Sequence, residues 1–256
     1  MLLKGQNIVI TGGAGLLASA FATHIVQEQG RVILADSNLN KAKELCETLN
    51  QQEEGCAHAT SFDITSSQSV AELINFASQA CGRVDSVVNC AYPRNQSYGA
   101  LLEDVTLESF NENVNLQLGG YFLVTQQFAQ YFRSNKITGR VINIASIYGS
   151  KAPRFSIYKQ GETMPVEYSV IKAGLIQLSQ YFARYYNQTG IRFNTISPGG
   201  ILNQQDPKFI ERYNEYGLSK GMLEPTDVSG ACVFLLSPLS DYINGQDLVV
   251  DDGWTL

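Results

Sequence analysis

Short apolar runs alternate along this chain with longer stretches whose apolar residues recur every three or four positions. The runs cover 7–11, 31–35, 56–62, 84–90, 140–145, 192–196 and 247–250. The periodic stretches between them cover 16–29, 38–51, 66–80, 106–134, 166–188 and 225–237. Near-continuous apolar strands separated by amphipathic helices predict a parallel sheet covered on both faces, with right-handed crossovers. The expected fold is therefore α/β: one doubly wound domain over residues 1–256 with seven parallel strands. Two segments interrupt the alternation. Residues 147–167 carry Pro153, Gly161 and Pro165 and read as loop. Residues 201–224 follow Ser197-Pro-Gly-Gly200 and hold a short helical pattern around 207–217. Both follow strand ends, where open α/β sheets bind ligands, and long loops there are more often functional than decorative.

Composition narrows the function classes. The chain has 256 residues, 44% of them hydrophobic and 16% charged, which supports a buried core and argues against disorder. A formal net charge of −6 argues against binding a nucleic-acid backbone. Cys46, Cys56, Cys81, Cys90 and Cys232 are scattered and form no CxxC pair, so free thiols in a reducing compartment are expected. His24 and His58 lack partners at metal-ligand spacing. Residues 1–6 run straight into the first strand with no leader pattern, and no stretch is long enough to span a bilayer. The expected location is the cytoplasm, with a small molecule as partner.

The candidate chemistry begins at the first strand end, Thr11-Gly-Gly-Ala-Gly-Leu-Leu-Ala18. Gly12 permits a tight turn, Gly15 lets backbone approach a pyrophosphate, and the helix opened by Leu16 and Leu17 presents its N-terminus to the anion. Asp36 ends the second strand, as an acid binding the adenosine ribose should, although a helix-capping role also suits it. Its carboxylate would repel a 2′-phosphate and no Arg follows it, so NAD is expected over NADP. A second constellation is Tyr168-Ser-Val-Ile-Lys172, with Ser146 upstream. Positions i and i+4 share a helix face. A free phenol titrates near pH ~10, and lowering that to about 7 needs roughly 4 kcal/mol from a neighbouring cation. A Tyr and a Lys four apart are also commonly two plain helix-face residues, and Ser146 alone is commonly a turn residue.

Taken in order, these residues resemble the short-chain dehydrogenase/reductase family over essentially the whole chain. The loop at 11–18, Asp63-Ile64, Asn89-Cys-Ala91, Asn115, Ser146, Tyr168, Lys172, Pro198-Gly199 and the C-terminal Gly245-Gln-Asp-Leu-Val-Val-Asp251 fall in family order. The resemblance implies a Rossmann fold and an NAD-dependent oxidoreductase that interconverts a secondary alcohol and a ketone. It implies that Tyr168 is the general acid/base, that Lys172 lowers its pKa and holds the nicotinamide ribose, and that Ser146 binds the substrate oxygen. Asn115 would organise a water for proton relay, though a buried helix amide is its plainer reading. Asp63 and Ile64 would flank the adenine, Asn89 and Ala91 would line the cofactor cleft, and Pro198, Gly199 and Ile201 would border the nicotinamide. It also implies a homodimer or homotetramer through the helices at 106–134 and 166–188. These carry Phe122, Phe128, Tyr131, Phe132, Tyr181, Phe182, Tyr185 and Tyr186, which could equally be core.

The departures from the family pattern carry the specificity. The glycine spacing Gly-x-x-Gly-x-x-Ala looks more like a branch that works on nucleotide sugars, yet the chain is short for that branch. Tyr92 follows Ala91 where a glycine pattern is usual, and Asn203 stands at a usual threonine position. The interval between Ser146 and Tyr168 is longer than usual. Tyr158 stands nearer the usual distance, but its i+4 residue is Glu162, which cannot supply a cation. The segment contains Lys151, Arg154 and Lys159, either an anion-recognition set or solvated loop cations. Its sequence resembles a subgroup from bacterial surface-glycan and flagellar sugar pathways, pointing to a sugar or sugar-phosphate alcohol as substrate. Two rival readings are a nucleotide-sugar epimerase or dehydratase that uses bound NAD transiently, and a non-catalytic NAD-binding scaffold.

Overall fold

The computed structural model describes residues 1–256. Seven strands form: β1 (Asn7–Thr11), β2 (Arg31–Asp36), β3 (Ala57–Ser61), β4 (Ser86–Asn89), β5 (Arg140–Ile144), β6 (Arg192–Pro198) and β7 (Asp247–Val250). They make one parallel sheet in the order β3-β2-β1-β4-β5-β6-β7. The fold expectation is met, with β3 and β4 shorter than the apolar runs and β6 two residues longer. Strand order reverses between β1 and β4, and a crevice opens at their carboxyl ends.

Side chains alternate across the sheet and so divide the core in two. Ile8, Ile10, Val32, Leu34, Val88 and Ile142 pack beneath α1 (Leu16–Gln27), α2 (Leu39–Asn50) and α8 (Pro225–Leu236). Val9, Ile33, Val87, Val141 and Phe193 face α3 (Ser67–Cys81), α5 (Gly120–Ser134) and α6 (Val166–Tyr185). Helix starts follow the sequence locally. The side chains of Asn38, Ser66 and Thr106 accept backbone N–H bonds at the first turns of α2, α3 and α4 (Leu107–Val114).

The periodic stretch 106–134 is not one α-helix. A π-helical turn, Asn115–Gly119, joins α4 to α5, and such turns concentrate at functional sites. Gly119-Gly120 makes the wider turn accessible, and Gly120 lies so close to Ile64 that a Cβ there would stand 3.0 Å from its side chain. Asn113, Gln117 and Tyr121 consequently share the inward face of the helix and are all buried. The helix aromatics divide between two roles: Phe128 and Phe132 are core, while Phe122, Tyr181 and Tyr185 remain exposed.

After β5 the chain enters the interval 147–167, which is mostly irregular, with short 3-10 turns at Ile147–Gly149 and Phe155–Ile157. The segment between β6 and α8 contains α7 (Pro207–Asn214), at the position of the expected helical pattern. Gly149 presses on α6 so closely that a Cβ would meet the Lys172 carbonyl carbon at 2.7 Å. Gly149→Ala must therefore separate the post-β5 turn from α6. The expected cost is about 1–3 kcal/mol, which lowers the thermal midpoint of a chain this size by roughly 2–4 °C per kcal/mol in a melt against the wild-type protein.

Candidate active site

A cavity of about 480 Å³ opens at the carboxyl ends of the central strands and is lined by residues 15–18, 144–148 and 198–201 together with Tyr168 and Lys172. Its floor is the glycine loop. Gly12 has φ +65°, and a Cβ there would stand 2.7 Å from the Ala91 Cα, so only glycine lets β1 and β4 close at this point. Gly15 begins α1 without any side-chain cap, which leaves the first N–H groups of that helix open for an anion. Asp36 belongs to this loop, because its Oδ2 accepts the Ala14 N–H at 2.9 Å while Oδ1 accepts the Asn38 N–H. The cap of α2 is Asn38 itself. An uncapped helix start, a strand-end carboxylate beside it and a cavity reaching Pro198–Ile201 fit a dinucleotide.

The residues expected to transfer the proton converge where α6 meets β5. Ser146 follows β5 and is buried, and its Oγ accepts the Tyr148 N–H at 3.2 Å. Tyr168 occupies the first turn of α6, and Lys172 follows one turn later. Lys172 is buried, and its Nζ donates to the Ile144 carbonyl at 2.8 Å. Burial pulls the ammonium down to about 8. The Tyr168 phenol is pushed above its ordinary value by burial, with the Ser146 hydroxyl acting against that shift. Here the expectation needs correcting. In the protein alone Lys172 does not bring the phenol down, because desolvation dominates at both groups and the ammonium directs a donor to the β5 carbonyl, 5.5 Å from the Tyr168 ring centre.

Several other expected site residues are arranged differently. Asn115 is exposed in the π turn and does not line the cavity. The local Val-Asn-Leu pattern drew attention to it, but the wider turn leaves Gln117 on the buried face, with an Nε2 that has no hydrogen-bond partner. Asn89 does not line the cleft either. It is turned into the sheet, where it donates to Asn143 Oδ1 at 2.8 Å and accepts from Thr11 Oγ1 at 3.2 Å. Ala91 is the residue that closes on Gly12. Asp63 is exposed just beyond β3, where its Oδ1 accepts from the backbone and hydroxyl of Thr65, while Ile64 packs on Gly120. Lys151, Arg154 and Lys159 do not reach the cavity. Lys151 is exposed, Lys159 pairs with Glu162 at 2.8 Å, and the Arg154 guanidinium stacks 4.4 Å from the Tyr216 ring centre and 5.1 Å from that of Trp254.

An aromatic wall replaces the expected cations. Tyr148 and Tyr158 from the inserted segment, with Phe209 and Tyr213 from α7, line the same cavity as the glycine loop. Trp254 stands behind them, stacked on Tyr213 at 4.8 Å and perpendicular to Tyr148 at 5.9 Å, and its Nε1 donates to the Tyr213 carbonyl. This set is absent from the sequence reading because its members lie far apart in the chain; the one local signal was a single Trp close to the C-terminus. Trp254→Ala should cost about 3–5 kcal/mol, read as a lower thermal midpoint, and should raise substrate KM more than it changes NAD affinity.

The family model described as enoyl-(acyl carrier protein) reductase matches residues 13–255. The chain is 38% identical over 258 residues, covering 100% of both sequences, to the post-translational flagellin modification protein A of Campylobacter coli. It is 30% identical to the 7alpha-hydroxysteroid dehydrogenase of Bacteroides fragilis, covering 99% of this chain and 95% of that one. A crystal structure of a short chain dehydrogenase from Leptospira borgpetersenii with bound NAD+ superposes with a TM-score of 0.84 at 30% identity, covering 100% of this chain and 94% of that one.

Proposed function

The chain belongs to the short-chain dehydrogenase/reductase family, and from that premise we propose an NAD-dependent oxidoreductase that interconverts a secondary alcohol and a ketone on a sugar derivative in surface-glycan biosynthesis. Action on CH–OH groups comes with the family. The observation that carries the reading is the convergence of Ser146, Tyr168 and Lys172 in one cavity with the glycine loop. The sugar class is supported by the flagellin-modifying relative and by a wall of ring faces and phenolic hydroxyls suited to a polyhydroxylated ring. The preference for NAD is supported by Asp36, whose carboxylate beside the loop disfavours a 2′-phosphate.

The residues present fit the cofactor, which when bound supplies the acceptor or donor of the hydride at the alcohol carbon. The chain supplies the proton chemistry. The Ser146 hydroxyl hydrogen-bonds the substrate oxygen and so orients the reacting C–O bond. In oxidation the Tyr168 phenolate takes the hydroxyl proton, and in reduction the phenol returns it. The Lys172 ammonium favours the phenolate once both groups face a bound ligand. Burial keeps the Tyr168 phenol protonated in the free protein, so the proton for the ketone direction is in place, and the Lys172 ammonium favours the phenolate that the alcohol direction needs. Substrate and cofactor close the cavity and exclude water, which strengthens these interactions.

The relay amide in this reading is Gln117 rather than Asn115. Its unpartnered Nε2 lies on the face shared by Asn113, which donates to Glu167 beside Tyr168, and by Tyr121, whose ring centre is 5.8 Å from Lys172 Nζ. Gln117→Leu should hold or raise the thermal midpoint, since no hydrogen bond within the chain is lost, while lowering kcat about tenfold or more. Asn115→Ala should change both by no more than an exposed substitution does, within about 0.5 kcal/mol, or roughly twofold in rate. The reverse ranking would return the role to Asn115.

The proposal is tested by screening sugar, phosphorylated-sugar and nucleotide-sugar alcohols for NAD and NADP reduction, with Tyr168→Phe as control. Expected is a higher kcat/KM with NAD, and a loss of about 10²–10⁴-fold in kcat for the variant while NAD still raises its thermal midpoint. Near-full turnover by Tyr168→Phe, or preferential use of NADP, would contradict the respective parts.

A further inference from the structure

Lys172 is a buried cation without a counter-ion. Its Nζ donates to the Ile144 carbonyl, and it takes part in no ion pair. Around it stand ring faces: the centres of Tyr168, Tyr92 and Tyr121 lie 5.5, 5.7 and 5.8 Å from Nζ. All three are within the range at which an aromatic quadrupole attracts an ammonium, and the attraction grows when the pair is desolvated. Tyr168 lies one turn earlier on the same helix, and Tyr121 belongs to the buried face of α5. Tyr92 alone comes from the loop after β4.

Tyr92 is also held firmly for a loop residue that is 41% exposed. Its hydroxyl lies 2.6 Å from that of Tyr98, and the two rings meet edge to face at 5.9 Å. A second perpendicular contact, 6.0 Å between centres and 82° between planes, joins Tyr92 to Tyr168. The Arg94 guanidinium lies 5.6 Å from the Tyr92 ring centre. One side chain therefore touches both members of the proton-transfer pair.

We propose that Tyr92 is a positioning residue for that pair: its ring holds the Lys172 ammonium where no carboxylate is available, and its perpendicular contact sets the tilt of the Tyr168 phenol. The inference rests on Tyr168 and Lys172 being the proton-transfer pair. The other ionisable groups about Lys172 do not supply the missing charge. The Cys90 thiol just beyond β4 is pushed up to about 12 by burial, as is Tyr92 itself, and burial raises the Tyr121 phenol well above its ordinary value. Glu167 is turned toward Asn113, and Arg94 carries the same sign as Lys172.

The test is the pH profile of kcat for alcohol oxidation in Tyr92→Leu, Tyr92→Phe and Tyr92→Trp. The active form pairs a phenolate with an ammonium, so activity falls on the alkaline side as Lys172 loses its proton. A ring face favours the charged amine and raises its pKa; removing the ring brings that loss to lower pH. Tyr92→Leu should move the alkaline limb down by about one pH unit. Tyr92→Phe should keep the limb, and Tyr92→Trp should keep it or move it upward, because indole is the strongest partner of a cation. An unmoved limb in Tyr92→Leu overturns the proposal. So does a Tyr92→Phe limb displaced as far as that of Tyr92→Leu, which would assign the effect to the hydroxyl pair with Tyr98. If Tyr92→Leu does not fold, a limb that falls in Tyr92→Trp overturns it equally. Failure of the underlying reading is distinguishable, since a Lys172→Met enzyme with wild-type turnover would defeat that reading directly.

Discussion

The buried ammonium of Lys172, hydrogen-bonded to the last carbonyl of β5, is the constraint on which the site depends. Taking an ammonium out of water costs several kcal/mol. The fall from an ordinary lysine to about 8 corresponds to about 3 kcal/mol against the charged form. At about 8 the amine still carries its charge at neutral pH, and three tyrosine rings and a strand-end carbonyl surround it in place of water. That arrangement requires α6 to press on the end of β5, which Gly149 permits. The same seam brings Ser146 and Tyr168 to one cavity. Catalytic geometry and helix-sheet packing are thus one contact seen from two sides.

The fold was legible in the sequence because short near-continuous apolar runs alternate with period-3.6 stretches, and the central strands β1, β4 and β5 are buried along their whole length. The glycine loop, Asp36, Ser146, Tyr168 and Lys172 were legible because their roles depend on local spacing. The placement of Asn115 was not legible: a π turn, which no periodicity over 106–134 announces, sends it outward and Gln117 inward. Asn89 is tied into the sheet by Asn143, 54 positions away, and such partners are invisible along a chain. The cations of 147–167 read as an anion site because charge is visible in sequence. Lys159 pairs with Glu162 three residues on, and the stacking of Arg154 on Tyr216 and Trp254 is a tertiary contact that the sequence does not display.

What replaces the cations gives the cavity its character. The aromatic wall is built from the inserted segment and α7, braced by a C-terminal tryptophan. In the proposed function, specificity and chemistry are mounted separately: the sheet end would carry the proton transfer, and the two segments that build the wall would carry substrate recognition. A family able to act on many alcohols can change substrate by altering these segments while leaving β5 and α6 intact.

The central claim is net hydride transfer coupled to proton transfer, rather than transient use of a bound cofactor. Its most direct measurement is a single-turnover reaction of the purified enzyme with NAD and a candidate sugar alcohol deuterated at the carbinol carbon. The expected result is one equivalent of released, deuterium-labelled NADH for each equivalent of ketone. An epimerised or dehydrated sugar formed with no NADH in solution would contradict it.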